Sequence, residues 1–184
     1  MKLKKYSFKK VNSTNDTAIR IIKNSNCKFG MVTSDIQLNG KGQHGKKWIS
    51  LNGNLFVSFF YELKNIKLTI SKLTKVNCLL VKKLISIYYK KKIVIKQPND
   101  ILIDKKKICG ILQEVITKLD NQYLIVGIGL NITKDPKIKN YPTTNIYELI
   151  NKQIDKLEVE NQLRLIFEKK LSELFKIDLK LNSL

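Results

Sequence analysis

The stretch of the sequence with the most obvious chemical potential is residues 40–47, which read GKGQHGKK. Its glycines can expose backbone N–H groups and its lysines supply positive charge, so it could hold a phosphate or a carboxylate. It matches the dinucleotide-binding pattern G-x-G-x-x-G, and it matches the P-loop pattern G-x-x-x-x-G-K-[ST] except at Lys47. Both patterns require a helix directly after the loop. The following residues, WISLNGNLFVSFF, predict a turn and a strand instead, so both patterns fail on context.

A third interpretation is that residues 40–47, here called the glycine loop, fold over a bound anion. Lys41, Lys46 and Lys47 would supply the charge, and Trp48 would add a flat apolar wall beside the loop. The alternative is an exposed basic loop without a ligand. The glycine pattern alone does not separate these two interpretations.

Three further segments could complete such a site: STN at 13–15, KQPNDILIDKKKICGIL at 96–112 and GIGLNI at 127–132. Pro98 cannot lie inside a central strand, so we expect it to end a strand and to present the polar residues that follow it at the rim. Each segment also has a structural explanation as turn residues, a solvated hairpin tip or glycines that ease strand packing. Their occurrence together, in this order, indicates a site.

The sequence predicts both strands and helices as the elements that position these segments. Ser13 is placed to cap a helix, with Asp16 at its third position. "DKKK" is predicted as the turn of a hairpin, with Lys107 at the start of the return strand. The pattern predicts an α+β fold with a mixed, largely antiparallel sheet and helices on it. The predicted strands are 5–11, 30–37, 54–63, 92–97, 101–103, 108–116 and 122–132, and the predicted helices are 13–24, 69–88, 145–151 and 157–175.

Composition limits the functional classes. The chain has 184 residues, which we expect to form a single domain, 1–184. Its net charge of +20 would suit nucleic acid, but arginine occurs only at positions 20 and 164 and the lysines are scattered. We therefore favour a lysine-rich solvated surface over a DNA-binding face, and an acidic protein partner is compatible with either.

Other catalytic classes and locations are disfavoured. His44 is the only histidine, which argues against a histidine-based triad or zinc site. The three cysteines are far apart and odd in number, which argues against a disulfide framework. No apolar run is long enough to cross a bilayer and Met1 is not followed by a signal sequence, so we expect a cytoplasmic protein without membrane contact.

In their order, these segments resemble the biotin protein ligases, which join biotin to a lysine of the biotin carboxyl carrier protein. The resemblance runs over about residues 5–150 and is carried by STN, QLNGKGQHGKKW, KQPNDILIDKKKICGIL and GIGLNI. It implies the class II aminoacyl-tRNA synthetase-like catalytic domain shared by biotin and lipoate ligases. ATP, Mg²⁺ and biotin are the implied ligands, and the oligomeric state stays open.

The resemblance also implies roles for individual residues. Lys107 and Lys41 would be the catalytic cations, and Mg²⁺ would lie near Asn99 and Asp100. The residues implied in binding biotin are Ser13, Thr14, Asn15, Gln37, Gly40, Gly110, Ile111, Leu112 and Gly127. Those implied in binding ATP or the adenylate are Lys41, Gly42, Gln43, Gly45, Trp48, Asn99, Asp100 and Asn131.

The implied chemistry suits these residue types. Hydroxyl and amide groups complement a neutral ureido ring, which has two N–H donors and one carbonyl. The carboxylate of biotin must attack the α-phosphate of ATP, so cations must already surround the meeting point of two anions. The product, biotinyl-5′-AMP, is destroyed by water, and a closing glycine loop can exclude it.

The chain also departs from the family pattern. Gln43 stands where many members have arginine, which weakens the charge that retains the adenylate. Gln97 replaces the usual aromatic residue before Pro98. No helix-turn-helix is expected before Lys5, so repressor activity is not expected. No small barrel is expected after the last helix, which puts carrier docking and part of ATP binding in question. Three alternatives remain: a lipoate–protein ligase, a degenerate ligase that binds biotin without turnover, and a non-enzymatic basic nucleic-acid-binding protein.

Overall fold

The computed structural model describes residues 1–64, 66–139 and 141–181, with side chains described through Phe175. A seven-stranded mixed sheet forms its centre, in the order β1-β2-β3-β7-β6-β5-β4. β1 and β2 are parallel, and all other neighbouring pairs are antiparallel. The strands are β1 (Lys4–Val11), β2 (Phe29–Gln37), β3 (Leu55–Glu62), β4 (Val94–Lys96), β5 (Asp100–Ile103), β6 (Lys106–Lys118) and β7 (Asn121–Leu130).

Helices cover both faces of the sheet because the central strands are apolar on both sides. Phe59 of β3 faces helix α4 (Lys156–Leu181) and stacks on Phe167 with ring centroids 3.9 Å apart. Its neighbour Phe60 faces the opposite way and packs with Ala18 and Ile22 of helix α1 (Thr14–Asn24). Truncating a buried Phe to Ala costs about 3–5 kcal/mol of stability, so the packing on each face of the sheet contributes substantially to the stability of the fold. The helices are α1 (Thr14–Asn24), α2 (Ile70–Tyr88), α3 (Ile146–Ile150) and α4 (Lys156–Leu181).

The observed elements confirm the predicted α+β fold with its mixed, largely antiparallel sheet. Ser13 caps α1 as expected, and its side chain accepts from the backbone N–H of Asp16 at 3.4 Å. The glycine loop contains a single 3₁₀ turn, Gln43–Gly45, and after the loop the chain runs on to β3 without forming a helix. The structure therefore agrees that neither phosphate-loop pattern has the helix it requires.

The differences from prediction are in element lengths. β4 spans only Val94–Lys96, rather than 92–97, because residues 97–99 form the turn that Pro98 indicated. β7 ends at Leu130, two residues early, and α4 is longer than the predicted 157–175. None of the helices in the described ranges combines the length and apolar composition that crossing a bilayer requires.

Candidate active site

A cavity of about 630 Å³ lies where the glycine loop, the start of α1 and strands β5, β6 and β7 meet. All the predicted site residues line it except Gly40 and Gly45, which line a neighbouring cavity of about 530 Å³ under the same loop. The predicted residues that line the larger cavity are Ser13, Thr14, Asn15, Gln37, Lys41, Gly42, Gln43, Trp48, Asn99, Asp100, Lys107, Gly110, Ile111, Leu112, Gly127 and Asn131.

One part of the cavity is lined by the uncharged polar side chains of Thr14, Asn15 and Gln37, and we call these residues, together with the buried Ser58 behind them, the amide end. The cap of α1 brings Thr14 to the end of β2, where its backbone N–H and its hydroxyl donate to Gln37 Oε1 at 2.8 and 3.0 Å. The other end of the Gln37 amide donates to Ser50 Oγ at 3.2 Å. These bonds fix the direction in which the amide and hydroxyl groups face the cavity.

Ser58 holds the amide end from below. It is fully buried on β3, and its Oγ lies 2.8 Å from Thr14 Oγ1 and 2.5 Å from Asn15 Oδ1. Its single proton serves one of these oxygens at a time. The Asn15 amide nitrogen donates to Glu114 at 2.6 Å, so both ends of this amide are held. Only a glycine at 127 permits the approach, since a Cβ there would lie 2.3 Å from Asn15 Oδ1.

A second part of the cavity carries charge, and we call Asp100, Lys107 and Tyr141 the lysine end. Lys107 Nζ lies 2.7 Å from Asp100 Oδ1, and the Tyr141 hydroxyl donates to Asp100 Oδ2 at 2.6 Å. The side chains of Lys107 and Asp100 are only 20% and 14% exposed, so their charges are little screened by solvent. A substrate anion would therefore meet a partly buried cation that already has one counter-ion.

A β-bulge aims Lys107 into the cavity. In the β5–β6 ladder Ile101 pairs with Cys109 while Leu102 pairs with Lys107, which leaves one extra residue on β6. In a regular strand, residues 107 and 110 would point to opposite faces. Because the bulge shifts this alternation, the Lys107 side chain lies against Gly110 on the cavity side.

The two ends sit over neighbouring steps of the β6–β7 ladder. Leu112 pairs with Gly127 beneath the amide end, and Gly110 pairs with Gly129 beneath the lysine end. Two residues along a strand span roughly 7 Å. Trp48 covers the Gly110–Gly129 pair so closely that a Cβ on Gly129 would lie 2.3 Å from the indole ring. The cavity thus has two polar ends joined by a floor of glycine and aliphatic side chains.

The glycine loop is ordered by its own backbone. Gly42 N–H donates to Lys46 O at 2.7 Å, Trp48 N–H donates to Gly40 O at 2.8 Å, and Lys41 and Lys47 form an antiparallel bridge. Lys41 Nζ lies 2.5 Å from Asp16 Oδ1 on α1. That hydrogen bond raises the pKa of Lys41 against a smaller opposing effect of burial, so Lys41 stays charged. In this structure its charge is paired with α1.

The two predicted asparagines are held by main-chain carbonyls. Asn99 Nδ2 donates to Ile111 O at 2.8 Å, and the buried Asn131 Nδ2 donates to Thr144 O at 3.1 Å. The nitrogen of each amide is thereby committed to the fold. Among the described residues no donor contacts the side-chain oxygen of Asn99, which lies beside Asp100 in the chain and is therefore available to a ligand or a hydrated ion.

The described residues around the cavity offer neither a cluster of metal-binding side chains nor a reactive cysteine. Within the described ranges no three His, Cys, Asp or Glu side chains gather as a potential metal site. Burial raises the pKa of the Cys109 thiol, and burial with the charge of Asp100 raises the pKa of Cys78 to about 11. Both stay protonated at neutral pH and are poor nucleophiles. Asp100 and Asn99 suit a Mg²⁺ ion that is held mainly by nucleotide phosphates, which needs only one or two protein oxygens.

Sequence reasoning missed three residues that hold this site: Ser58, Glu114 and Tyr141. Ser58 had a usable signal, since a serine inside the apolar strand LFVSFFY requires a buried partner. Glu114 had a weaker one, as a lone carboxylate in the second half of β6. Tyr141 had none, because it belongs to an irregular segment with no periodic pattern.

Comparison with known proteins gives one family match. The model of the biotin/lipoate A/B protein ligase family matches residues 7–131. The bifunctional ligase/repressor BirA of Bacillus subtilis is 29% identical over 168 residues, which cover 87% of this chain and 51% of that protein. This chain thus spans about half the length of that curated relative.

Solved structures share the fold. The biotin protein ligase of Aquifex aeolicus, in complex with biotin and ATP, has a TM-score of 0.77 at 29% identity, covering 96% of this chain and 72% of that one. The biotin protein ligase of Leishmania major, in complex with biotinyl-5-AMP, has a TM-score of 0.80 at 23% identity, covering 96% and 80%.

Proposed function

Because the chain belongs to the biotin/lipoate A/B protein ligase family, we propose that it is an ATP-dependent biotin protein ligase. It would activate biotin as biotinyl-5′-AMP and transfer the biotinyl group to a lysine of a biotin carboxyl carrier protein. The observation that carries this proposal is the division of one cavity into an uncharged amide end and a lysine end, joined by an apolar floor.

The amide end would bind the ureido ring. A neutral ring with two donors and one acceptor is matched by hydroxyl and amide groups, and the bonds among Thr14, Asn15 and Ser58 fix those groups in advance. The thiophane ring and valeryl chain would then run over Leu112, Gly127 and Gly110, where the floor is apolar and flat. Lipoate carries an uncharged dithiolane with no N–H or C=O group, so it could form none of the hydrogen bonds that these polar groups offer to a ureido ring, which favours biotin.

The lysine end would carry the first chemical step. A carboxylate oxygen of biotin attacks the α-phosphorus of ATP, the bond to the β-phosphate oxygen breaks, and pyrophosphate leaves. Lys107 would be shared between the carboxylate and the α-phosphate, where its preset charge counters the approach of two anions. Mg²⁺ bound to the nucleotide would supply further positive charge, with Asp100 and the Asn99 amide oxygen as its protein contacts.

The glycine loop would protect the adenylate. Lys41 would exchange its ion pair with Asp16 for the intermediate as the loop closes, and Trp48 would keep water from the acyl phosphate. An uncharged amine of the carrier lysine then attacks the acyl carbon, AMP leaves, and an amide bond forms. Gln43 lines the cavity without a charge, so we expect faster loss of the adenylate than an arginine there would permit.

The decisive experiment is biotin-dependent exchange of labelled pyrophosphate into ATP, with lipoate in a parallel reaction. The proposal predicts pyrophosphate exchange when biotin is present and none when lipoate replaces it. It also predicts that biotin plus ATP raises the Tm of the protein more than lipoate plus ATP does. Exchange that depends on lipoate would reassign the substrate. Stabilisation by biotin without exchange would indicate a binding protein. Steeply salt-dependent binding of polynucleotides with neither effect would indicate a nucleic-acid-binding protein.

A further inference from the structure

The segment after β7 is built against the lysine end of the cavity. We call residues 135–139 and 141–144 the strap. Lys107 N–H donates to Pro142 O at 2.9 Å, and Thr144 N–H donates to Lys107 O at 3.0 Å. Asp135 ties the strap together by accepting from Thr143 Oγ1 at 2.8 Å and from Asn145 Nδ2 at 2.6 Å. The backbone of Lys107 is therefore held by the strap as well as by the sheet.

Tyr141 extends this contact from the backbone to the charged side chains. Its hydroxyl donates to Asp100 Oδ2 at 2.6 Å, while Lys107 Nζ lies 2.7 Å from Oδ1 of the same carboxylate. A phenol carries its proton at neutral pH, so the Tyr141 hydroxyl is a donor to the Asp100 carboxylate.

The ring of Tyr141 also lies near the Lys107 ammonium. Lys107 Nζ is 5.5 Å from the centroid of the Tyr141 ring and 5.4 Å from that of Trp48. Aromatic faces at this distance attract a cation without neutralising it. Lys107 is therefore flanked by two rings and one carboxylate, and only the carboxylate competes with a substrate anion for its charge.

An anionic substrate places Asp100 in an unfavourable position. When Lys107 turns toward a carboxylate and a phosphate, Asp100 loses part of the ion pair that the described residues give it, and its carboxylate must at the same time present an oxygen to the nucleotide-bound Mg²⁺ proposed above. A partly buried carboxylate without a donor is strongly disfavoured. The Tyr141 hydroxyl does not depend on Lys107, so its hydrogen bond to Oδ2 persists while the cation moves.

We propose that Tyr141 is a positioning residue for adenylate formation, whose hydroxyl keeps Asp100 hydrogen-bonded while Lys107 turns its charge to the substrate anions. This role rests on the ligase function proposed above. It assigns a function to a strap residue whose hydroxyl contacts Asp100 and whose ring lies beside Lys107.

The test replaces Tyr141 by phenylalanine, which keeps the ring and removes the hydroxyl. Tyr147→Phe on α3 is the matched control, since Tyr147 is 43% exposed and does not line the cavity. In biotin-dependent pyrophosphate exchange we expect Tyr141→Phe to lower kcat roughly 5- to 20-fold, with the KM for biotin within about twofold of the wild type. We expect the control to match the wild type in both parameters.

A double-mutant cycle shows whether Tyr141 acts through Asp100. In an Asp100→Asn background, the same Tyr141→Phe change is expected to lower kcat by less than about twofold. An equal loss in both backgrounds would overturn the proposal, as would no loss in the wild-type background or a loss that appears only in the KM for biotin.

Thermal unfolding repeats the cycle without depending on catalysis. We expect Tyr141→Phe to lower Tm by about 2–4 °C in the wild-type background and by less than about 1 °C in the Asp100→Asn background. Equal shifts would overturn the contact itself. Absence of exchange in the wild type combined with coupled Tm shifts would refute the ligase function and the positioning role of Tyr141 in it, but leave the contact with Asp100 in place.

Discussion

The two ends of the cavity are built on opposite principles. At the amide end, neutral groups satisfy one another, and Ser58 shares one proton between Thr14 and Asn15. At the lysine end, a cation and a carboxylate pair directly and a phenol supports the carboxylate. The neutral groups of the amide end can replace hydrogen bonds to one another by hydrogen bonds of similar strength to the ligand. At the lysine end, Lys107 must weaken its ion pair with Asp100 before it can interact with a substrate anion. We therefore expect the amide end to set affinity and the lysine end to set rate.

The largest expected effect comes from removing the cation of the lysine end. Lys107→Ala should lower the kcat of biotin-dependent pyrophosphate exchange at least ~100-fold, because one preset charge-stabilising group is lost. Lys106→Ala is the matched control, since Lys106 is the adjacent residue and pairs with Glu148 at 3.3 Å outside the cavity. We expect the control to keep the wild-type rate within about threefold. Equal rates in the two variants would remove Lys107 from the chemistry.

A smaller effect, on a different parameter, is expected at the amide end. Ser58→Ala removes the hydroxyl that donates to Asn15 Oδ1 or to Thr14 Oγ1, while the Thr14 hydroxyl keeps its hydrogen bond to Gln37. An orphaned buried polar group costs about 1–3 kcal/mol, so the KM for biotin should rise roughly 10-fold or more. The kcat should stay within about threefold, and Ser7→Ala on the exposed side of β1 should change neither. A fall in kcat at unchanged KM would contradict the expectation that the amide end sets affinity and the lysine end sets rate.

The smallest effect concerns the strap and its dependence on pH. Burial raises the pKa of Asp135, but hydrogen bonds from Thr143 and Asn145 and the nearby Lys137 outweigh it, so the net pKa lies below the ordinary value. A lowered folded-state pKa stabilises the protein above the unfolded-state pKa, which is about 3.9. That stability is lost as the pH falls through the folded-state value.

Unfolding free energies measured between pH 7 and pH 2.5 test this. We expect the wild type to exceed Asp135→Asn by about 1 kcal/mol at pH 7, with the gap closing in acid. Asp120→Asn, at the exposed turn between β6 and β7, is the control and should show no such gap. A gap that stays constant down to pH 2.5 would mean that the charge of Asp135 does not stabilise the strap.

The sequence predicted the site best where local rules decide the structure. Ser13 caps a helix through a hydrogen bond three residues away, and Pro98 ends a strand by its own geometry. Of the residues that the order of the polar segments predicted for the site, all but Gly40 and Gly45 line the cavity. These features need only short-range chemistry or a family pattern.

The remainder depends on long-range packing. The bulge beside Lys107 arises from the pairing of β5 with β6, and the residue types around Lys107 do not predict it. Lys41 pairs with Asp16, 25 positions away, through the way the loop folds back on α1. Tyr141 reaches Asp100 from an irregular segment. Such contacts are properties of the assembled sheet, so periodicity and propensity carry no signal for them.

The most direct test of the account is the structure of the protein with a non-hydrolysable analogue of biotinyl-5′-AMP. The account predicts the ureido ring within hydrogen-bonding distance of Thr14, Asn15 or Gln37, and the acyl-phosphate oxygens within about 3.5 Å of Lys107 Nζ. A ureido ring bound beside Lys107, or an acyl phosphate outside the cavity, would contradict the assignment of the two ends.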